Sequence, residues 1–188
     1  MGLFEVLFGR TKPVKSKSEA LFAMATAEVT LSTSLQLTPA KRAGIVFKPV
    51  ESSYFDQAEQ ELQGMLRQSS QDESLRFSTE TDSYGFRWIV LENDGFEELV
   101  AAQHMVSITL TDNGFGDQLL AAVFRFDTAS HPVYWIYNYK RGSFYPFVPH
   151  GNHDRDNGEE LRLAAVIGKE LPVEKATDHW YAIWGIPF

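Results

Sequence analysis

Residues 139–147 combine two cations with several aromatic side chains around a Gly-Ser pair. An arginine beside aromatic rings can bind a carboxylate or phosphate, and the rings offer a stacking surface. The alternative is structural and more common, since aromatic side chains are usually buried and an arginine often stacks on one of them. Both alternatives stay open. The candidate ligand-binding or partner-binding residues are Tyr139, Lys140, Arg141, Phe144 and Tyr145.

A loop with metal-binding residue types follows, containing His150, His153, Asp154 and Asp156. A zinc site needs three or four ligands on a rigid frame, which two histidines in a Gly-Asn loop do not supply. The carboxylates also miss the calcium-loop spacing, because the following Asn-Gly pair comes too early. Asp156 is placed to cap a helix instead. We therefore expect no metal site and no cofactor.

Motifs for catalysis are equally weak in this sequence. Gly114-Phe115-Gly116 lies between a predicted helix and a strand, whereas nucleotide-binding glycines lie between a strand and a helix. No Gly-x-Ser-x-Gly motif occurs, and none of the five histidines has an evident serine and acid partner. We therefore name no catalytic residue and expect an interaction protein rather than an enzyme. The alternative is a small-ligand-binding protein or enzyme with a pocket near Tyr139–Tyr145.

Residues 1–17 are predicted to form a basic apolar arm, because they hold four basic residues and one acid. Apolar residues recur there at four-residue spacing, but a helix this short does not persist alone in water. An anionic membrane, a protein partner, the chain's own sheet or a second subunit must receive that apolar face, and these alternatives stay open. The candidate membrane-binding or partner-binding residues of the arm are Leu3, Phe4, Leu7, Phe8, Arg10 and Lys12.

The last nine residues, 180–188, hold two of the four tryptophans. A free tail of this composition would aggregate. We expect it to be buried, either against its own domain or across the interface of a homodimer.

Composition limits the class of protein and the compartment. With 188 residues, 44% hydrophobic, the chain suffices for one domain with a filled core, which we place at residues 18–188. A net charge of -8 disfavours nucleic acid as a partner, since phosphates would be repelled. The chain has no cysteine, which fits a reducing compartment. Its apolar runs are too short to cross a bilayer. Its N-terminal charges follow the apolar residues, which is the reverse of the order in a signal peptide. These features predict a cytoplasmic protein, with the arm allowing peripheral contact at the inner face of the membrane.

Periodicity predicts the elements that must position these residues. Helical spacing indicates a helix over 53–68, a second from Asp94 and a third from Asp156, the latter two with capping residues. Alternation indicates two hairpins, which pair 75–79 with 86–91 and 118–126 with 133–140. A short helix over 18–24 and a strand over 45–47 precede them, while residues 27–37 stay open between helix and strand.

The resulting order is helix, hairpin, helix, hairpin, helix. Short connections favour antiparallel pairing. We predict an α+β fold with an antiparallel sheet and helices mainly on one face. This order is similar to that of secretion chaperones, an analogy of fold that carries no function.

Several segments resemble the PspA-associated protein PspAB family. The resemblance runs nearly from end to end and includes residues 1–4, 9–14, 114–124, 139–147, 155–157 and 180–187. Its most specific part is residues 140–147. It implies a cytoplasmic accessory protein of the phage-shock, or envelope-stress, response, linked to phage-shock protein A, which coats stressed cytoplasmic membranes. No catalytic residue is implied. The expected partner is therefore a protein, with phage-shock protein A as the candidate.

Overall fold

The helices and strands follow the apolar spacing of the sequence. The computed structural model describes residues 17–69, 75–151 and 153–188, with side chains from residue 20 onward. The central sheet consists of β1 (Thr38–Phe47), β2 (Arg76–Thr81), β3 (Arg87–Glu92), β4 (Leu119–Asp127), β5 (Pro132–Asn138) and β6 (Ser143–Phe147). The α-helices are α1 (Ala23–Leu35), α2 (Ser53–Ser69), α3 (Phe96–Asp112) and α4 (Asn157–Ile167). The predicted α+β class is confirmed.

The strands follow the order β2-β3-β1-β4-β5-β6, and each neighbouring pair is antiparallel. A separate two-stranded hairpin is formed by β7 (Pro149–His150) and β8 (Asp154–Arg155). The predicted order of helices and hairpins runs from α2 to α4. Before it lie α1 and β1, and the strand predicted over 45–47 is confirmed as the end of β1. The structure also extends the second hairpin with β6.

Residues 27–37, which the sequence left open, are helical up to Leu35. The buried residues of α1 are Met24, Ala27, Leu31 and Leu35. Their spacing of three or four residues is that of a helix with one buried face. Gln36 ends α1 in a left-handed conformation, with a φ of 55°. The helix predicted over 18–24 is instead a 3-10 helix, Lys17–Phe22, that leads directly into α1.

The two helix starts that were predicted from capping residues have different outcomes. At α4, the Asp156 carboxylate accepts a hydrogen bond from the Glu159 backbone N–H at 2.9 Å, which confirms the predicted cap. At α3, the N-cap residue is Gly95 and no side chain caps the helix, so the prediction for Asp94 was wrong. Asp94 instead forms an ion pair of 2.6 Å with Lys41 of β1. With Gly95 at the N-cap position, α3 begins one residue later than the capping pattern predicted.

Alternation along the strands divides their side chains between two faces of the sheet. On β5, Val133, Trp135 and Tyr137 belong to the core beneath the helices. Tyr134 and Ile136 belong to a separate cluster on the opposite face. All five side chains are buried, so both faces of the central strands are covered.

Helices cover one face, as predicted. Buried residues of α1, α2, α3 and α4 pack there with β1, β3, β4 and β5. Helix α3 is 17 residues long and contributes buried side chains to this core from Leu99 to Leu110. Among the described residues, no helix is both long enough and apolar enough to pass through a bilayer.

The opposite face is covered mainly by residues 180–188, which we call the tail. Trp180 and Phe188 are buried there, and Ile183, Trp184 and Ile186 are partly buried. The tail is thus packed against its own sheet, which is one of the two predicted positions.

Candidate functional site

A groove remains where the tail covers the sheet incompletely. It encloses about 520 Å³, within the range of sites that take a small molecule or a few side chains of a partner. We call it the tail groove. Its lining residues are Val46, Asp82, Tyr84, Phe86, Trp88, Leu120, Ala121, Asn138, Lys140, Tyr145, Tyr181, Ala182, Ile183 and Trp184.

One end of the tail groove is fixed by Asp82 in the turn between β2 and β3. One carboxylate oxygen accepts hydrogen bonds from the backbone N–H groups of Tyr84 and Phe86, both at 2.9 Å. The other accepts the indole N–H of Trp88 at 3.0 Å. Since both oxygens already have donors, Asp82 organises this turn and is poorly placed to act as a base.

Tyr145 on β6 joins the groove to the tail. Its hydroxyl donates a hydrogen bond to the backbone carbonyl of Tyr181 at 3.0 Å. Burial raises the pKa of Tyr145 above its usual value, and the nearby Arg155 opposes that effect only in part. The phenol therefore stays protonated near neutral pH and holds the tail as a donor.

The turn between β5 and β6 places Lys140 at the groove. The side-chain oxygen of Asn138 accepts hydrogen bonds from the backbone N–H groups of Lys140 and Arg141, at 3.0 and 3.3 Å. Gly142 has a φ of 68°, a left-handed conformation that glycine adopts without a steric cost. Gly142 is thus explained by the conformation of this tight turn.

The structure divides the five candidate residues of the 139–147 stretch. Lys140 and Tyr145 line the tail groove. Tyr139 and Phe144 lie in the core beneath the helices, with their rings 5.3 and 4.7 Å from that of Tyr137. Arg141 forms an ion pair of 3.3 Å with Glu174. A binding role for the set stays a prediction, and only Lys140 and Tyr145 line this groove.

Sequence reasoning missed the aromatic rim of the tail groove. Tyr84 and Tyr181 are 71% and 53% exposed, although tyrosine is a large apolar residue. Tyr84 follows Asp82 and Ser83 in a turn sequence, so an exposed position at a turn tip was the available signal. Nothing in the sequence indicated that the tail would lie beside this turn, because the two are about a hundred residues apart.

The histidine-rich loop forms the β7–β8 hairpin and supports the tail. The His153 ring lies 5.1 Å from that of Trp184. Arg155 donates from Nε to both oxygens of Glu160, at 3.0 and 2.9 Å, and from Nη1 to the Trp180 carbonyl at 2.6 Å. Across the described part of the chain, no group of three or more histidine, cysteine, aspartate or glutamate side chains is arranged to hold a metal ion.

The predicted arm residues Leu3, Phe4, Leu7, Phe8, Arg10 and Lys12 lie outside the described residues. Their membrane-binding or partner-binding role therefore stays a prediction.

Comparison with known proteins identifies the family. No curated protein and no solved structure gives a significant match to the chain, so the analogy to secretion chaperones also stays a prediction. The family model of PspAB, described as PspA associated protein B, matches residues 1–188. Since that match covers the whole chain, the chain belongs to the PspAB family.

Proposed function

We propose that this chain is a non-enzymatic accessory protein of the phage-shock response that binds a protein partner through the tail groove. The observation that carries the proposal is the aromatic groove itself, with Tyr84 and Tyr181 exposed at its rim. The family description names association with PspA, and we propose PspA as the partner.

The chemistry of the tail groove supports protein recognition. Tyrosine and tryptophan are over-represented among the residues that contribute most to protein interfaces, because they bury a large rigid surface and keep a polar edge. Tyr84, Tyr181 and Trp184 supply such surface here, and Lys140 adds a cation. An apolar segment of PspA that carries an acidic residue would fit this arrangement.

Binding rather than catalysis is supported by the polar groups at the groove. Its described lining contains no histidine, serine or cysteine. The carboxylate of Asp82 already accepts three hydrogen bonds from its own turn and from Trp88. These groups stabilise the shape of the groove.

Binding of purified PspA to the full chain tests this proposal. The double variant Tyr84→Ala, Tyr181→Ala removes both rim rings, and we expect binding to weaken at least about tenfold. Tyr54→Ala is the matched control, because Tyr54 on α2 is 76% exposed and does not line the groove. Equal binding by the rim variant and this control, or no binding by the unaltered chain, would refute it.

We further propose that the protein acts in the cytoplasm and that its arm contacts the inner face of the membrane. Each buried apolar side chain of the arm can contribute about 1.5–3 kcal/mol, and each basic residue about 1 kcal/mol at an anionic surface. Co-sedimentation with phosphatidylserine vesicles should fall about tenfold in Leu7→Asp. Unchanged sedimentation would contradict membrane contact by the arm.

A small-ligand site is a second candidate, because the predicted pocket near residues 139–145 coincides with a groove of suitable size. The fluorescent probe 1-anilinonaphthalene-8-sulfonate, an aromatic anion, tests it. Saturable binding that is lost in Trp184→Ala and does not compete with PspA would favour the ligand site over the protein site.

Homodimerisation also stays a proposal, and light scattering of the full chain checks it.

A further inference from the structure

A second groove lies on the helix-covered side of the molecule, where α2 and α3 meet the 3-10 helix that precedes α1. It encloses about 420 Å³, and its apolar wall includes Phe22, Met65, Ala101, Met105 and Ile108. Phe22 and Met65 are each 41% exposed, and Ile108 is 38% exposed. Moving exposed apolar side chains out of water is favourable, so a second surface that covered them would bind here.

The edge of this groove is acidic. Glu61 and Asp112 line it, and Glu97 and Glu98 line an adjoining depression that shares Phe22. Neither lysine nor arginine occurs among the described residues that line the two depressions. The surface therefore fits an occupant that is both apolar and basic.

We propose that, in the absence of a membrane, this acidic helix-side groove binds residues 1–16 of the same chain. That segment offers Leu3, Phe4, Leu7 and Phe8 to the apolar wall. It also carries three basic residues and a single acid, which matches the carboxylates at the edge. The rest of the chain has an excess of acids, so the segment is the part of this sequence with the complementary charge.

The covalent link between residues 1–16 and the wall of the groove favours this segment over a separate protein as the occupant. Residues 1–16 are joined at Lys17 to the 3-10 helix that ends at Phe22, and Phe22 is itself a wall of the groove. Sixteen residues extend up to about 50 Å, which is ample for the apolar residues to reach the groove. A covalent link of this kind gives an effective concentration in the millimolar range, which a separate protein of similar composition would have to match.

This inference goes beyond the proposed binding of PspA at the tail groove and does not depend on it. The two grooves lie on opposite sides of the sheet and share no lining residue. Variants of one can therefore be tested while the other is left intact.

Trypsin cleavage after Arg10 in the full chain tests the proposal in solution. Ile108→Glu places a carboxylate in the apolar wall at a partly exposed position, and we expect cleavage about tenfold faster than in the unaltered chain. Val166→Glu is the matched control, because Val166 on α4 is 44% exposed and does not line this groove. Leu7→Asp should accelerate cleavage as Ile108→Glu does, and it leaves the body of the protein unchanged.

A cysteine pair locates the segment directly, since the natural chain has no cysteine. Gly2→Cys with Ile108→Cys should form a disulfide within one chain about tenfold faster than Gly2→Cys with Val166→Cys. Equal rates for the two pairs, or equal cleavage in all variants, would overturn the proposal. A disulfide found only between two chains would assign the groove to a second copy. Protection of Arg10 from trypsin only when anionic vesicles are added would assign the segment to a membrane. Either result would also overturn the proposal.

Discussion

The two faces of the sheet are covered in different ways. On one face, helices bury side chains while satisfying their own backbone hydrogen bonds. On the other, the tail has little regular structure, so its carbonyls need partners from the rest of the molecule. Tyr145, Arg155 and Tyr134 donate hydrogen bonds to the carbonyls of residues 181, 180 and 188, respectively.

This difference shows where a binding surface can form. A helix covers a continuous strip of the sheet, whereas a segment held at separate points leaves spaces between them. The tail groove is such a space, bounded by residues 181–184 and by the turns at Asp82 and Lys140. Its shape therefore depends on the polar contacts that hold the tail.

The largest effect is expected from truncating a side chain of the helix-covered core. Phe124 on β4 is fully buried and its ring lies 5.8 Å from that of Phe96. Phe124→Ala should lower the free energy of unfolding by about 4 kcal/mol, since the cavity adds to the lost burial. Urea unfolding followed by circular dichroism measures this. Phe188→Ala in the tail should cost less than half as much, because a segment with little regular structure can detach locally. Equal losses would remove the distinction between the faces.

A somewhat smaller effect is expected at Glu160 of α4, which supports the tail through Arg155. The buried carboxylate accepts the Val148 backbone N–H at 2.8 Å and pairs with Arg155 at 2.8 Å. Glu160→Ala removes the acceptor of both donors and should lower the free energy of unfolding by about 3 kcal/mol. Thermal or urea unfolding measures this.

Glu160→Gln is the informative companion to that variant. Burial raises the pKa of Glu160, with Arg155 and the Val148 N–H acting in the opposite direction. A neutral amide that still accepts a hydrogen bond should therefore be tolerated better, at a cost of about 1–2 kcal/mol. A loss equal to that of alanine would show that the charge matters more than the acceptor.

Close packing between Gly44 and the tail should give an intermediate effect that depends on the tail. A Cβ at Gly44 would overlap with the ring of Phe188 at Cε1. Gly44→Ala should cost about 2 kcal/mol alone and much less in the Phe188→Ala background. A double-mutant cycle by urea unfolding measures the coupling. Additive losses would mean that strain at Gly44 does not act through the tail.

The smallest effect concerns Glu174, which lies just before the tail. The Ala176 backbone N–H and then Arg141 lower the pKa of Glu174. Because the folded pKa is below the unfolded one, the contribution is present above the unfolded pKa and is lost as the pH falls through the folded pKa. Glu174→Gln should therefore lower stability by less than about 1 kcal/mol at pH 7, with the difference vanishing in acid. Unfolding free energies measured from pH 7 down to pH 3 check this, and a difference that grows in acid would contradict it.

Elements with strong local patterns were predictable. Helix α2 and both hairpins lie within a few residues of their predicted positions, because apolar spacing reports the buried face directly. The cap at Asp156 was equally local. Asp94 was predicted wrongly because a capping pattern does not fix a helix start to a single residue, and Gly95 is the N-cap.

The candidate site was predictable only in part. The stretch 139–147 was identified from its composition, but the placement of Phe144 and Tyr145 on opposite faces follows from β6, a strand that was not predicted. Tyr84 and Trp88 were not identified at all. Tyr84 lies in the turn between β2 and β3 and Trp88 lies on β3, and they became site residues only because the tail passes beside them.

By itself the sequence determined the α+β class, most of the helices and hairpins, and the burial of an apolar tail, since these depend on patterns between neighbouring residues. The tertiary structure decided which face the tail covers, which aromatic side chains stay exposed, and where the two grooves lie. Those outcomes depend on contacts between residues far apart in the chain, whose geometry no local pattern specifies.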